Sequence, residues 1–284
     1  MRQSALILLI LLVSWSLLFL PSSAEIQPPG LAWKELAPGL SFYRWPVQSS
    51  ESRAVLDVIT ILRLKPDQWA FKVFHSPTPK TIQEWQSATN APIVCNGGFY
   101  QENFKPAGRI LVNGVSIGPL KNSSMKGMFL AEPRKGFEQI PKARLIDLKV
   151  ENSEETISKY DQGIQSFPIL LDPRGQVRVN PSNFQANRTV IAQDRQGNIL
   201  ILITEKPFFT LYELGQYLKK MPLSLVFALN LDGGNRTQLT VQIKDFSYQY
   251  TGLEGTPEAS RLFFPDGNAK LPTVIGIFPR GGAS

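Results

Sequence analysis

The apolar run Ala228-Leu229-Asn230-Leu231 leads directly into Asp232-Gly233-Gly234. A strand ending this way carries a carboxylate to a sheet edge. The two glycines let the backbone turn tightly and a ligand come close. Alternation puts Asn230 and Asp232 on one side of the strand, and a polar residue in so apolar a run needs partners if it is buried. Asp-Gly also makes an ordinary hairpin turn. A second segment, Asn96-Gly97-Gly98-Phe99-Tyr100, repeats the design of a buried strand feeding Asn and paired glycines. Two such strand ends suggest loops gathered around one cleft. In Asn187-Arg188-Thr189 an arginine stands at the mouth of an apolar strand, where its guanidinium can fork onto a carboxylate or phosphate. A plain structural ion pair would use the same residue. Gln165-Ser166-Phe167-Pro168 is a polar lead into another apolar stretch.

The elements that must position these groups are short. Val55 to Leu62 and Ala70 to Phe74 have strand character. Thr81 to Ala88 reads as a capped helix, and Gly108 to Val115 as a hairpin turning on Asn113-Gly114. A strand and a helix are expected between Ile146 and Tyr160. Phe167 to Leu171 and Gln176 to Val179 flank an Asp-Pro-Arg-Gly turn. Thr189 to Ala192 and Asn198 to Thr204 form a second hairpin. Thr210 to Lys220 is an amphipathic helix with lysines at its C-terminal end. Strands over Ser224 to Leu231 and Thr273 to Phe278 complete the set. Hairpins mixed with helices, without a βαβ rhythm, predict a single α+β domain: a mixed, largely antiparallel central sheet with flanking helices.

The chain has 284 residues, of which 43% are hydrophobic, 19% charged and 10% aromatic, a composition that excludes disorder, collagen and coiled coil. Its +7 charge favours anionic partners. No Lys/Arg block interleaves with aromatics, so nucleic acid is not expected. One histidine, His75, and one cysteine, Cys95, cannot build a His/Cys zinc site or an intrachain disulfide. Cys95 lies in the apolar run Pro92-Ile93-Val94, the setting of an inert core thiol, which argues against a dyad with His75. No cofactor or metal is expected. Calcium on loop carboxylates stays open, although no EF-hand spacing appears.

At the N-terminus, Arg2 precedes an apolar run from Ala5 to Leu20, broken by Ser14 and Ser16, and then Pro21-Ser22-Ser23-Ala24. That is the pattern of a secretory signal, cleaved after residue 24, so the protein is expected to be periplasmic or secreted. A membrane partner follows only if the segment stays uncleaved. The expected organisation is a signal at 1–24, an N-terminal extension at 25–54 and the main domain at 55–280.

In this order the motifs resemble the phosphodiester glycosidase family. The resemblance rests on Asn96 to Tyr100, the Gly108 to Gly114 hairpin, Ser166 to Leu170, Arg188 to Ile203, Thr210 to Leu214 and, above all, Ala228 to Gly234. Where the family usually continues Gly-Ser, this chain has Asn235-Arg236-Thr237, a bulkier and positive loop.

The resemblance implies cleavage between a sugar's anomeric carbon and a phosphodiester oxygen, in an envelope or exopolysaccharide-type glycan. It implies Asp232 as the acid at the anomeric centre and Arg188, with Thr189, as the phosphate holder. Asn96 and Asn230 would orient sugar hydroxyls, and Glu102 is the nearest second carboxylate. Gly97, Gly98, Ser166, Gly233, Gly234 and Arg236 would complete the substrate-binding set. The alternative is a non-catalytic periplasmic module that binds anionic glycan or peptidoglycan through the same cleft, a reading that Asn235-Arg236 favours. A structural partner in an envelope complex would instead show an exposed apolar patch.

Overall fold

Runs of Ile, Leu and Val, alternating between two buried faces, set the frame. A computed structural model describes residues 32–151, 153–252 and 269–281; the expected signal segment lies outside them. Residues from Ala32 onward form one unit.

Three sheets carry the fold. The first has the order β1 (Lys34–Ala37), β2 (Leu40–Gln48), β3 (Val55–Leu64), β13 (Ile199–Thr204), β12 (Thr189–Asp194), β14 (Leu225–Asn230) and β11 (Ile169–Leu171). The second runs β7 (Val115–Ile117), β6 (Ile110–Val112), β10 (Tyr160–Ser166), β8 (Gly127–Pro133) and β9 (Ala143–Asp147). The third runs β16 (Phe246–Thr251), β15 (Gln238–Ile243), β5 (Ile93–Asn96), β17 (Leu271–Pro279) and β4 (Trp69–Lys80). The described strand pairings are antiparallel. Three helices accompany them among the described residues: α1 (Ile82–Thr89), α2 (Ser153–Ile157) and α3 (Leu211–Lys220).

The expected largely antiparallel pairing is what the strands show, while the single central sheet of an α+β fold is corrected to a β-rich fold of three sheets. The reason is connectivity. The two longer helices each join non-neighbouring strands of one sheet, α1 linking β4 to β5 in the third sheet and α3 linking β13 to β14 in the first, so they serve separate sheets rather than flanking one. Within the stretch 25–54, the residues from Lys34 onward supply β1 and β2, and β2 pairs with β3 along its whole length. Gln176 to Val179 forms no strand, only a bridge between Leu171 and Val177.

β13 shows how sequence sets the layers. Its Ile199, Ile201 and Ile203 enter the core between sheets, while Leu200 and Leu202 face α3 through Leu214 and Leu218. Burial on both faces reads as a continuous apolar strand. β5 does the same in four residues: Ile93 and Cys95 face the central core, and Val94 packs with Ile82 and Trp85 of α1. Both longer helices start on full capping boxes, Thr81 with Glu84 and Thr210 with Glu213. The Asn113-Gly114 turn has φ of 49° and 77°, the left-handed pair this hairpin demands.

Candidate active site

The chain leaving β14 crosses from the first sheet to the third, and Asp232 sits on that crossing. Leu231 N–H extends the β14–β12 ladder onto Thr189 carbonyl at 2.8 Å, and Gly234 N–H reaches Asn187 carbonyl at 2.8 Å. Arg188, between those two acceptors, thus flanks Asp232. A Cβ at Gly233 would lie 2.8 Å from Asn187 carbonyl and 3.9 Å from Arg188 Cδ, so only glycine lets this backbone pass so closely. Gly234 has φ +65° with open space beside it.

Asn96, at the end of β5, is the bracket of this junction. Its Oδ1 accepts from Thr189 Oγ1 at 2.8 Å and Gln238 N–H at 3.1 Å, and its Nδ2 donates to Asp232 carbonyl at 2.8 Å. One buried amide thus ties β5, β12, β15 and the Asp232 turn together. The second sheet joins through Ser166, whose hydroxyl donates to Asn230 carbonyl at 2.7 Å. Gly97 and Gly98 are buried contact points; a Cβ on them would strike Thr273 carbonyl and Ile164 Cγ2, each at 2.9 Å.

Several of the expected site residues sit within these contacts. Asn96, Thr189 and Ser166 make their hydrogen bonds to other parts of the protein within a buried junction. Asn230 donates to Phe167 and Leu231 carbonyls at 3.1 and 2.6 Å, while its Oδ1 is buried without a partner. Glu102 stands exposed in the loop between Tyr100 and Pro106, and no contact links it to Asp232 among the described residues. Gly233, Gly234 and Arg236 are partly exposed, whereas Asp232 and Arg188 are buried.

Burial raises the Asp232 carboxyl to about 6, against the pull of Arg236 and the Gly233 N–H. Its Oδ1 accepts from that N–H at 2.9 Å, and its Oδ2 lies 3.7 Å from Arg236 Nε, with 11% of the side chain exposed. Arg236 Nε also donates to the Tyr100 hydroxyl at 2.6 Å, and its guanidinium carbon stands 4.9 Å from the Tyr100 ring centre. Arg188 is 6% exposed. Its guanidinium donates to the Phe184 and Phe209 carbonyls at 2.7 and 3.4 Å and lies against the Phe184 ring, which is 70% exposed. Burial lowers it to about 10, still a cation at neutral pH. Among the described residues no carboxylate forms an ion pair with it.

Tyr100 and Phe184 are the site neighbours that sequence reasoning missed. Tyr100 follows the paired glycines of a recognised motif, which was the available signal; Phe184 had none. Cys95 is buried, with its thiol pushed up to about 12, and His75 Nδ1 lies 3.0 Å from Thr273 Oγ1. No group of three or more His, Cys, Asp or Glu among the described residues is placed to hold a metal ion.

Fold and site together define an antiparallel β protein with a buried carboxylate facing a guanidinium where its sheets meet. The phosphodiester glycosidase family matches residues 89–278, and the chain belongs to that family. Its fold is similar to the catalytic domain of zebrafish N-acetylglucosamine-1-phosphodiester α-N-acetylglucosaminidase, auto-inhibited by its pro-peptide. That likeness has a TM-score of 0.58 at 14% identity and covers 87% of this chain and 86% of that one. A crystal structure of a hypothetical protein from Synechocystis is similar with a TM-score of 0.56 at 17% identity, over 89% of this chain and 64% of that one. This chain therefore spans less than two thirds of the Synechocystis protein's length. At such identities the likeness concerns the fold. A comparison with curated proteins finds no match.

Proposed function

We propose that the protein is an exported hydrolase that breaks the bond between a sugar's anomeric carbon and a phosphodiester oxygen in an envelope or extracellular glycan. The observation that carries this reading is Asp232, buried at the strand junction with 11% of its side chain still exposed and the Arg188 backbone running alongside, in a member of the phosphodiester glycosidase family. When the anomeric C–O bond breaks, its electron pair leaves on a phosphate oxygen. A phosphate anion is a stable leaving group and needs little protonation, so a guanidinium that binds it can do much of a general acid's work. Arg188, already desolvated, suits that role. The ionised Asp232 suits the other, stabilising or attacking the electron-poor anomeric carbon. The signal pattern at residues 1–24 supports export.

A binding-only module is favoured by one observation: Arg236 lies against Asp232 and narrows access to it. Incubating the purified protein with a panel of sugar-1-phosphodiesters separates the two. The hydrolase reading expects sugar release from at least one, and a loss of about a thousandfold or more in Asp232→Asn. Full activity in Asp232→Asn would remove that residue from the chemistry. Binding without turnover across the panel would favour the module.

A further inference from the structure

Arg236 makes two contacts that together form a clamp. Its Nε donates to Tyr100 OH at 2.6 Å and its guanidinium stacks on that ring, while the same nitrogen stands 3.7 Å from Asp232 Oδ2. The hydroxyl fixes the arginine from the far side, and the short 3₁₀ turn Gly234–Arg236 brings it round to the aspartate four residues earlier. The separation exceeds a hydrogen bond, so the guanidinium acts on Oδ2 through its charge and leaves the lone pairs available. The other oxygen is taken by Gly233 N–H.

We propose that Arg236, anchored by Tyr100, is the positioning residue that keeps Asp232 ionised and its Oδ2 aimed outward at neutral pH. The functional part of this inference rests on the hydrolase reading above; the electrostatic part does not. Among the described residues, the charged group that faces Asp232 is Arg236 on the 3₁₀ turn, with the Tyr100 phenol behind it, and no carboxylate of the described residues acts on Asp232. Burial favours the neutral acid, and Arg236 opposes it. A neutral acid could neither stabilise positive charge at an anomeric carbon nor attack it.

The test is a carbon-13 NMR titration of the Asp232 carboxyl in the whole protein, assigned by its absence in Asp232→Asn. The midpoint is expected to rise by about one pH unit in Arg236→Gln, to stay near the native value in Arg236→Lys, and to fall between in Tyr100→Phe. With an active substrate, the acid limb of the kcat/KM profile should move by the same amount in each variant. An unchanged midpoint in Arg236→Gln overturns the clamp whatever the activity. If Arg236→Gln does not fold, an unmoved midpoint in Tyr100→Phe does so. Shifted midpoints in a protein that hydrolyses no phosphodiester would sustain the clamp and overturn the hydrolase reading instead.

Discussion

Asp57 and Asp232 are both buried, and burial pushes both carboxyls up to about 6, yet they are built for opposite purposes. Asp57 Oδ1 accepts the N–H groups of Val58, Lys206 and Glu205 at 2.7, 2.8 and 3.1 Å, and its Oδ2 is sealed with no partner. It pins the end of β13 to β3, and among the described residues no cation forms an ion pair with it. Asp232 accepts one N–H, faces a guanidinium and keeps some contact with solvent. A displaced titration is thus a poor guide to a site by itself. What separates the two is access, a neighbouring cation and position where strands of several sheets end.

The widest separation should come from Asp57→Ala. It removes the acceptor of Val58 and Lys206 N–H and one of the two acceptors of Glu205 N–H, and should cost about 3 kcal/mol, read as a fall in the denaturant midpoint. Activity per folded molecule should hold; a large loss of kcat would put Asp57 in the site and break the contrast. Next comes Arg188→Ala, expected to lower kcat/KM about a hundredfold, or about 2.7 kcal/mol, with Asp57 and its contacts undisturbed. A change under threefold would leave Arg188 a structural residue.

The smallest effect concerns stability. Because folding raises the Asp232 carboxyl from 3.8 to about 6, the native state holds that proton more tightly than the unfolded chain. Its contribution is fully present below pH 3.8 and is lost as pH rises through about 6. Asp232→Asn removes the charge, so it should stabilise the protein by roughly 2 kcal/mol at pH 7.5 and by almost nothing at pH 4. Equal effects at both values would mean that burial of the charge is not what raises it.

Much of the frame was legible in sequence because its signals are local. The β-branched run of β3, the Asn113-Gly114 turn and the two Thr-capped helices depend on residues a few positions apart. β8 and β10 escaped notice. Gly127, Gly163 and two glutamines spoil the strand pattern, and partners distant in the chain satisfy Gln162 and Gln165: Val73 and Asn113 for one, Arg109, Asn122 and Met125 for the other. The division into three sheets was hidden for the same reason, since it depends on pairings such as β3 with β13 across a long separation. In the site, the adjacency of Asp232 and Arg188 could be expected from their motifs. The use of Asn96 as an internal bracket could not, because an amide that binds a sugar and one that binds Thr189 and Gln238 look alike in sequence.

The central claim is that the bond broken is the one at the anomeric carbon. Hydrolysing a sugar-1-phosphodiester in oxygen-18-enriched water and recording the phosphorus NMR spectrum of the product tests it directly. Attack at carbon places the heavy oxygen on the sugar, so the phosphate line should show no isotope shift. A phosphate line displaced by bound oxygen-18 would mean that water attacked phosphorus, and would contradict the glycosidase assignment.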